Sequence, residues 1–132
     1  MPFVLDASVA ICWAMNDESD ARADAAWARA STDRPIVPAI WWYELRNILV
    51  LNERRGRISQ ADSDQFIQST GSLPRNAFPQ DSGETLLLAR KHRLSVYDAA
   101  YLALAKTQSL PLATLDRALE AAARAEGIEI VA

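Results

Sequence analysis

The sequence has little cysteine, histidine or glycine, and each shortage excludes a class of site. Cys12 is the single cysteine, which excludes an intramolecular disulfide and fits a reducing compartment. His92 is the single histidine and lies in the basic run RKHR, where a solvated helix end is expected. A Cys/His zinc site and a convincing nucleophile triad are therefore excluded. The 4 glycines are scattered, which excludes a phosphate-binding glycine loop.

Long apolar runs are also missing. No signal-peptide pattern opens the chain, Asp6 interrupts the first apolar run, and no later run reaches the roughly 18 apolar residues of a membrane span. We therefore expect a soluble, cytoplasmic protein with no membrane segment. The net charge of −3 argues against a surface that holds nucleic acid by being cationic. It does not exclude a nuclease whose site carries metal cations.

The remaining composition and the order of apolar segments predict the fold. The chain has 132 residues, half of them hydrophobic, which favours a single domain over residues 1–132. Strands are predicted at PFVLD, PIVPA, NAFPQ, LPLAT and IEIVA, with NAFPQ at an edge or strand end because of Pro79. Helical patterns separate them. This alternation predicts an α/β three-layer sandwich with a largely parallel central sheet flanked by helices.

Acidic residues stand at four unusual places. Asp6 ends the first strand and Asp116 follows the strand LPLAT, and ligands of open parallel sheets bind beyond the carboxyl ends of strands. Asp98 stands at the head of the helix predicted in SVYDAAYLALA, and the residues after it are apolar on every side. Glu44 shares the apolar face of its helix with Trp41, and a carboxylate facing the core is unfavourable without a partner.

Each of these acids also has a purely structural interpretation. Asp6 and Asp116 could cap the helices that follow them. Asp98 could form a capping box with the serine three residues before it. Glu44 could pair with Arg46 or another basic group, or extend to solvent. Taken together, however, the four positions predict that the acids converge at one edge of the sheet.

Convergence of four carboxylates would need a cation or protons. Two unit charges at about 4 Å repel by about 4 kcal/mol at an effective dielectric of about 20. A cluster of acids therefore takes up protons or binds cations. Oxygen-only ligands suit hard ions, chiefly Mg²⁺ or Mn²⁺, and such ions can activate water and stabilise charge on a phosphate under attack.

Four segments carry a family resemblance, and they occur in order over nearly the whole chain: VLDASVAICWA, PAIWWYELRNIL, SVYDAAYLALA and LPLATLDRAL. With them the chain resembles the PIN-domain ribonucleases, and most closely the VapC-type toxins of bacterial toxin–antitoxin pairs. The resemblance implies an RNA substrate, a homodimer and a cognate VapB-like antitoxin. It also implies an acidic pocket that binds Mg²⁺ or Mn²⁺, formed by Asp6, Glu44, Asp98 and Asp116.

Two hydroxyl residues fit the same pattern. Ser8 lies two residues after Asp6, and Thr114 lies two before Asp116. In the family such positions can help to orient ligands or water, although a local turn or cap is an equal alternative. Some relatives carry a further acid soon after the last aspartate. Here Glu120, one turn on, is a loose substitute for it.

Two rival functions are open to the same pattern. A receiver domain of phosphorelay signalling also binds Mg²⁺, but it needs paired acids after the first strand and a late lysine, and here Lys106 lies inside the apolar helix. A non-catalytic interaction module would use the acids as caps. Its partner groove would be lined by some of the tryptophans, which are otherwise predicted to be mostly core: Trp13, Trp27, Trp41 and Trp42.

Phosphate contacts would come from arginine side chains, among which the sequence does not choose. The candidates are Arg46, Arg54, Arg55, Arg90 and Arg93.

Overall fold

A computed structural model describes residues 1–15, 18–77 and 83–132. Within these ranges the strands are β1 (Val4–Leu5), β2 (Ile36–Val37), β3 (Arg75–Asn76) and β4 (Leu112–Ala113). The helices are α1 (Ala7–Ala14), α2 (Ala21–Ala30), α3 (Ile40–Arg54), α4 (Gln60–Thr70), α5 (Glu84–His92), α6 (Val96–Gln108) and α7 (Arg117–Ala125). In these ranges no helix combines the length and apolarity needed to cross a bilayer.

The four strands form one parallel sheet in the order β3-β2-β1-β4. Both residues of β1 are fully buried, as expected for a central parallel strand covered by helices on its two faces. The predicted α/β sandwich with a parallel central sheet is therefore confirmed. The strand β3 lies at the edge, as predicted, although the Phe78–Gln80 part of the predicted strand lies outside the described residues.

The C-terminal strand prediction was wrong in extent. Only Ile130 of the segment IEIVA pairs with the sheet, through a parallel bridge to Leu112. The Leu112 N–H donates to Glu129 O at 2.9 Å, and the Val131 N–H donates to Leu112 O at 3.0 Å. The segment thus covers the outer side of β4 without forming a strand of its own.

Local signals place several helix ends. The Ser59 side chain accepts a hydrogen bond from the Asp62 N–H at 3.0 Å and caps the start of α4. Gly56 follows α3 in the left-handed region, with φ of 72°, which suits a glycine after a helix. The helix α2 begins at Ala21, where Asp20 caps it by accepting from the Arg22 N–H at 2.8 Å.

The tryptophans divide between core and surface, so their assignment as mostly core was wrong. Trp41 is only 2% exposed, but Trp27 and Trp42 are 53% and 45% exposed. Trp13 is half-buried, and its indole N–H donates to Ala23 O at 2.9 Å. The Trp27 ring packs edge-on against Trp13 with 5.1 Å between centroids, so it covers Trp13 from the solvent side.

A charged cluster joins the last three helices. The Glu126 carboxylate, beyond the end of α7, contacts Lys91 Nζ at 2.7 Å, His92 Nε2 at 2.7 Å and Lys106 Nζ at 3.1 Å. Lys106 Nζ also lies 2.7 Å from Glu84. His92 is therefore a partner in this cluster and not the solvated helix end expected from the sequence. Hydrogen bonds from Lys91, His92 and Lys106 lower the pKa of Glu126 from its ordinary value of 4.5 to about 2.

This lowered pKa predicts an acid-sensitive contribution to stability. We expect Glu126→Gln to reduce the free energy of unfolding by about 1 kcal/mol near neutral pH, because three charge-assisted contacts are weakened. A carboxylate with a lowered pKa stabilises the fold fully above its ordinary value of 4.5, and this contribution is lost as the pH falls through about 2. Urea unfolding of both proteins across that range measures it. A difference independent of pH would contradict the assignment.

Candidate active site

The carboxyl ends of two neighbouring strands bring the first site residues together. β1 and β4 pair in parallel with Leu5 opposite Ala113, so the next residues, Asp6 and Thr114, emerge side by side. The Asp6 N–H donates to Ala113 O at 3.0 Å and extends this pairing by one step. The loop after β4 then leads directly to Asp116 at the start of α7.

Asp6 is a buried carboxylate held by two hydroxyl groups. It is 5% exposed, and its Oδ2 accepts hydrogen bonds from Ser8 Oγ at 2.7 Å and from Thr114 Oγ1 at 2.7 Å. Asp6 occupies the N-cap position of α1, but its side chain makes no cap hydrogen bond, so the capping interpretation is wrong for this residue. Its carboxylate is instead directed to groups from both strand ends.

Burial raises the pKa of Asp6 above its ordinary value. The hydrogen bonds from Ser8 and Thr114 act in the opposite direction and lower it, while the negative charges of Asp98 and Asp116 raise it further. The site therefore contains a carboxylate whose charge is disfavoured by its surroundings. A cation placed beside it would reverse that effect.

The two hydroxyls also fix the loop that carries the next acid. Ser8 Oγ accepts a hydrogen bond from the Leu115 N–H at 3.0 Å, and Thr114 Oγ1 accepts one from the Asp116 N–H at 3.0 Å. Each hydroxyl thus donates to Asp6 and accepts from the backbone after β4. Both supporting residues suggested by the sequence lie directly against Asp6, and they tie its carboxylate to the start of α7.

Asp98 and Asp116 stand at helix starts. Asp116 Oδ1 accepts a hydrogen bond from the Leu119 N–H at 2.9 Å. Asp116 therefore caps α7, which was the structural alternative considered for this residue. Asp98 is half-buried in the first turn of α6, where its N–H donates to Ser95 Oγ at 3.0 Å. Burial raises the pKa of Asp98, the charge of Asp116 raises it further, and a hydrogen bond with Ser95 lowers it.

Glu44 reaches the same region from α3. Its Oε1 accepts a hydrogen bond from the Tyr101 hydroxyl of α6 at 2.8 Å. Burial raises the pKa of Glu44, the Tyr101 hydrogen bond lowers it, and the charges of Asp6 and Asp98 raise it. The suggested pair with Arg46 is wrong: Arg46 lies 3.5 Å over the Trp42 ring centroid.

Tyr101 is a residue of this region that was not predicted from the sequence. It is completely buried, although it carries a polar hydroxyl. A polar atom on the buried side of an apolar helix needs a hydrogen-bond partner, and this requirement is the signal that could have identified it. The partner lies 57 residues away along the chain.

The four acids fit a hard divalent cation by chemistry, but they do not form a finished cage. All the atoms that they could offer to a metal are carboxylate oxygens, which hard cations prefer. Their negative charges raise one another's pKa values, as described above. Nevertheless, across residues 1–15, 18–77 and 83–132, no three Asp, Glu, His or Cys side chains lie close enough to form a metal-binding group. Asp116 Oδ1 and Asp6 Oδ2 already accept hydrogen bonds. Metal binding would therefore require some of these carboxylates to turn, or water to complete the ligand set.

Glu120 is directed away from this region. Its carboxylate contacts Arg22 Nη1 of α2 at 3.1 Å and Arg124 Nη2 at 3.0 Å. The side chain therefore links α2 to α7 by ion pairs. This arrangement does not support Glu120 as a substitute for the further acid that some relatives carry.

Comparisons with known proteins agree with this architecture. The PIN domain family matches residues 3–125. Ribonuclease VapC3 from Pyrobaculum aerophilum is 30% identical over 123 residues, which are 90% of this chain and 92% of that protein. The crystal structure of PAE2754 from Pyrobaculum aerophilum has a TM-score of 0.77 and 26% identity, with 99% of this chain and 84% of that chain covered. The chain is therefore a VapC-type member of the PIN domain family.

Proposed function

We propose that the protein is an endoribonuclease that depends on Mg²⁺ or Mn²⁺ and acts as the toxin of a VapBC-type pair. One observation carries this proposal. Asp6 and Asp116 follow the ends of the paired strands β1 and β4, and Asp6 has its pKa raised by burial and by the neighbouring charges of Asp98 and Asp116. A site that accumulates disfavoured negative charge from oxygen ligands is suited to a divalent cation.

The side chains divide into three roles in this proposal. Asp6, Asp98 and Asp116 hold the cation, directly or through water. Glu44 orients the attacking water or completes a second cation site. The cation, when bound, would supply water activation and charge stabilisation at the phosphodiester. Ser8 and Thr114 keep Asp6 oriented, since both donate to its Oδ2.

The name of the VapC3 relative supports RNA as the substrate and a VapB-like antitoxin as the partner, and we propose both for this chain. We further propose a homodimer as the assembly and the cytoplasm as the location, with residues 1–132 forming one domain. The exposed Trp27 and Trp42 side chains are apolar surface that such partners would cover. Cys12 is a buried free thiol, which suits a reducing compartment.

The receiver-domain alternative finds no support in the positions of the charged groups. It needs a late lysine beside the acidic site. Lys106 instead pairs with Glu84 at 2.7 Å and with Glu126 at 3.1 Å in the cluster that joins the last three helices.

Cleavage of RNA in the presence and absence of divalent ions tests the proposed function. We expect purified protein to cut unstructured or structured RNA with Mg²⁺ or Mn²⁺. Chelation should reduce the cleavage rate by at least about 100-fold, because carboxylates alone cannot stabilise the negative charge that develops on the phosphodiester. Readdition of the ion should restore cleavage. Equal cleavage in chelator would contradict the metal requirement. Intact RNA in every divalent-ion condition would contradict the nuclease assignment.

A further inference from the structure

The contact between Tyr101 and Glu44 joins two helices beside the acidic site. The Tyr101 hydroxyl donates to Glu44 Oε1 at 2.8 Å, from the middle of α6 to the second turn of α3. The tyrosine ring is fully buried, whereas Glu44 is only half-buried. The rigid partner is thus the tyrosine, and the flexible partner is the carboxylate.

The chemistry of the pair makes the hydroxyl a fixed donor. A tyrosine hydroxyl carries its proton at neutral pH, and an ionised carboxylate can only accept a hydrogen bond. The same group is near the Ala7 backbone at the start of α1, directly after Asp6. The hydroxyl therefore contacts Glu44 of α3 and lies near the start of α1.

We propose that Tyr101 is a positioning residue whose hydroxyl holds the Glu44 carboxylate in the orientation that cation binding and RNA cleavage require. This inference rests on the function proposed above. Glutamate has three side-chain torsions and loses much of its freedom when it is fixed in a site. A buried donor on Oε1 fixes the carboxylate plane and leaves Oε2 to serve the site. Partners of this kind behind a metal ligand typically change metal affinity or activity by about 10- to 100-fold when removed.

The change Tyr101→Phe removes the hydroxyl and keeps the buried ring. We expect about a 10-fold fall in kcat and about 10-fold weaker Mn²⁺ binding, measured by calorimetry, with the KM for RNA unchanged. Tyr43→Phe is the matched control, since it removes the hydroxyl of a tyrosine that is 66% exposed and directly precedes Glu44. We expect the control to keep wild-type kcat and Mn²⁺ affinity. Wild-type values for Tyr101→Phe would overturn the proposal.

A double-mutant cycle with Glu44→Ala, which removes the acceptor, separates positioning from general destabilisation. If Tyr101 acts through the Glu44 carboxylate, Tyr101→Phe should change kcat and Mn²⁺ affinity by less than about 2-fold in the Glu44→Ala background. An unchanged 10-fold loss in that background would show that Tyr101 acts by another route, and would overturn the proposal. Thermal melting of all variants in chelator shows whether each remains folded.

A second substitution carries the test if Tyr101→Phe does not fold. Glu44→Asp keeps the charge but withdraws the carboxylate from Tyr101 by one methylene group, so kcat and Mn²⁺ affinity should fall together. Wild-type values would overturn the proposal. A wild-type protein that binds Mn²⁺ but cleaves no RNA would contradict the proposed function alone, because the comparison of Mn²⁺ affinities would still test the role of Tyr101.

Discussion

The change Asp6→Asn is expected to lower the rate of Mn²⁺-dependent RNA cleavage by about 10³-fold, the scale of losing a principal electrostatic group in an active site. Asparagine has nearly the same shape, and its amide oxygen can still accept the hydrogen bonds that Ser8 and Thr114 donate to Oδ2. The substitution removes the negative charge that would bind the proposed cation. The fold should therefore persist while the activity is lost.

Single-turnover cleavage with saturating Mn²⁺ measures this loss, and Asp98→Asn should show a similar one. The matched control is Asp24→Asn, an exposed aspartate of α2 that should retain full activity. Circular dichroism checks that each variant is folded. Retention of full metal-dependent activity by both Asp6→Asn and Asp98→Asn would refute the assignment of the site.

The same substitution should make the metal-free protein more stable. Burial raises the pKa of Asp6, and the charges of Asp98 and Asp116 raise it further, so above that pKa the ionised carboxylate opposes folding. Removing the charge should raise the free energy of unfolding by about 3 kcal/mol, within the several kcal/mol attributed to burying one ion. For a chain of this size the melting temperature in chelator should rise by about 10 °C.

Added Mn²⁺ should reverse the order of the two proteins. A ligand that binds only the folded state stabilises it by RT ln(1 + [L]/Kd), so wild-type protein should gain stability with Mn²⁺ while Asp6→Asn, with a much larger Kd, gains little. Melting curves of both proteins in chelator and in Mn²⁺ measure this crossing. A lower melting temperature for Asp6→Asn in chelator would show that the carboxylate serves the fold and not a cation.

The class of fold follows from the sequence because its main signals are local. Short apolar runs alternate with helical patterns, and residues such as Ser59 and Gly56 mark helix ends by their own chemistry. The extent of the last strand did not follow, because strand pairing depends on the partner strand. Only Ile130 of IEIVA meets Leu112 as a bridge. The exposure of Trp27 likewise depends on its packing against Trp13, which local patterns do not contain.

The positions of the candidate acids follow from the sequence, but their contacts do not. Asp6 and Asp116 stand after strands, a place that local patterns identify. The bond between Asp6 and Thr114 spans 108 residues, and the bond between Glu44 and Tyr101 spans 57. Such contacts exist only once the sheet order is set. The sequence also could not decide that Asp116 caps its helix whereas Asp6 does not.

The proposed function requires that carboxylates from separate parts of the chain form one cation site. Its most direct test is a crystal structure of the wild-type protein soaked in Mn²⁺, with anomalous scattering recorded at the manganese edge. We expect an anomalous peak beyond the ends of β1 and β4, contacted by Asp6 and by at least one of Asp98 and Asp116, with Glu44 still bonded to Tyr101. No peak at this position, at a Mn²⁺ concentration that supports cleavage, would contradict the proposed site.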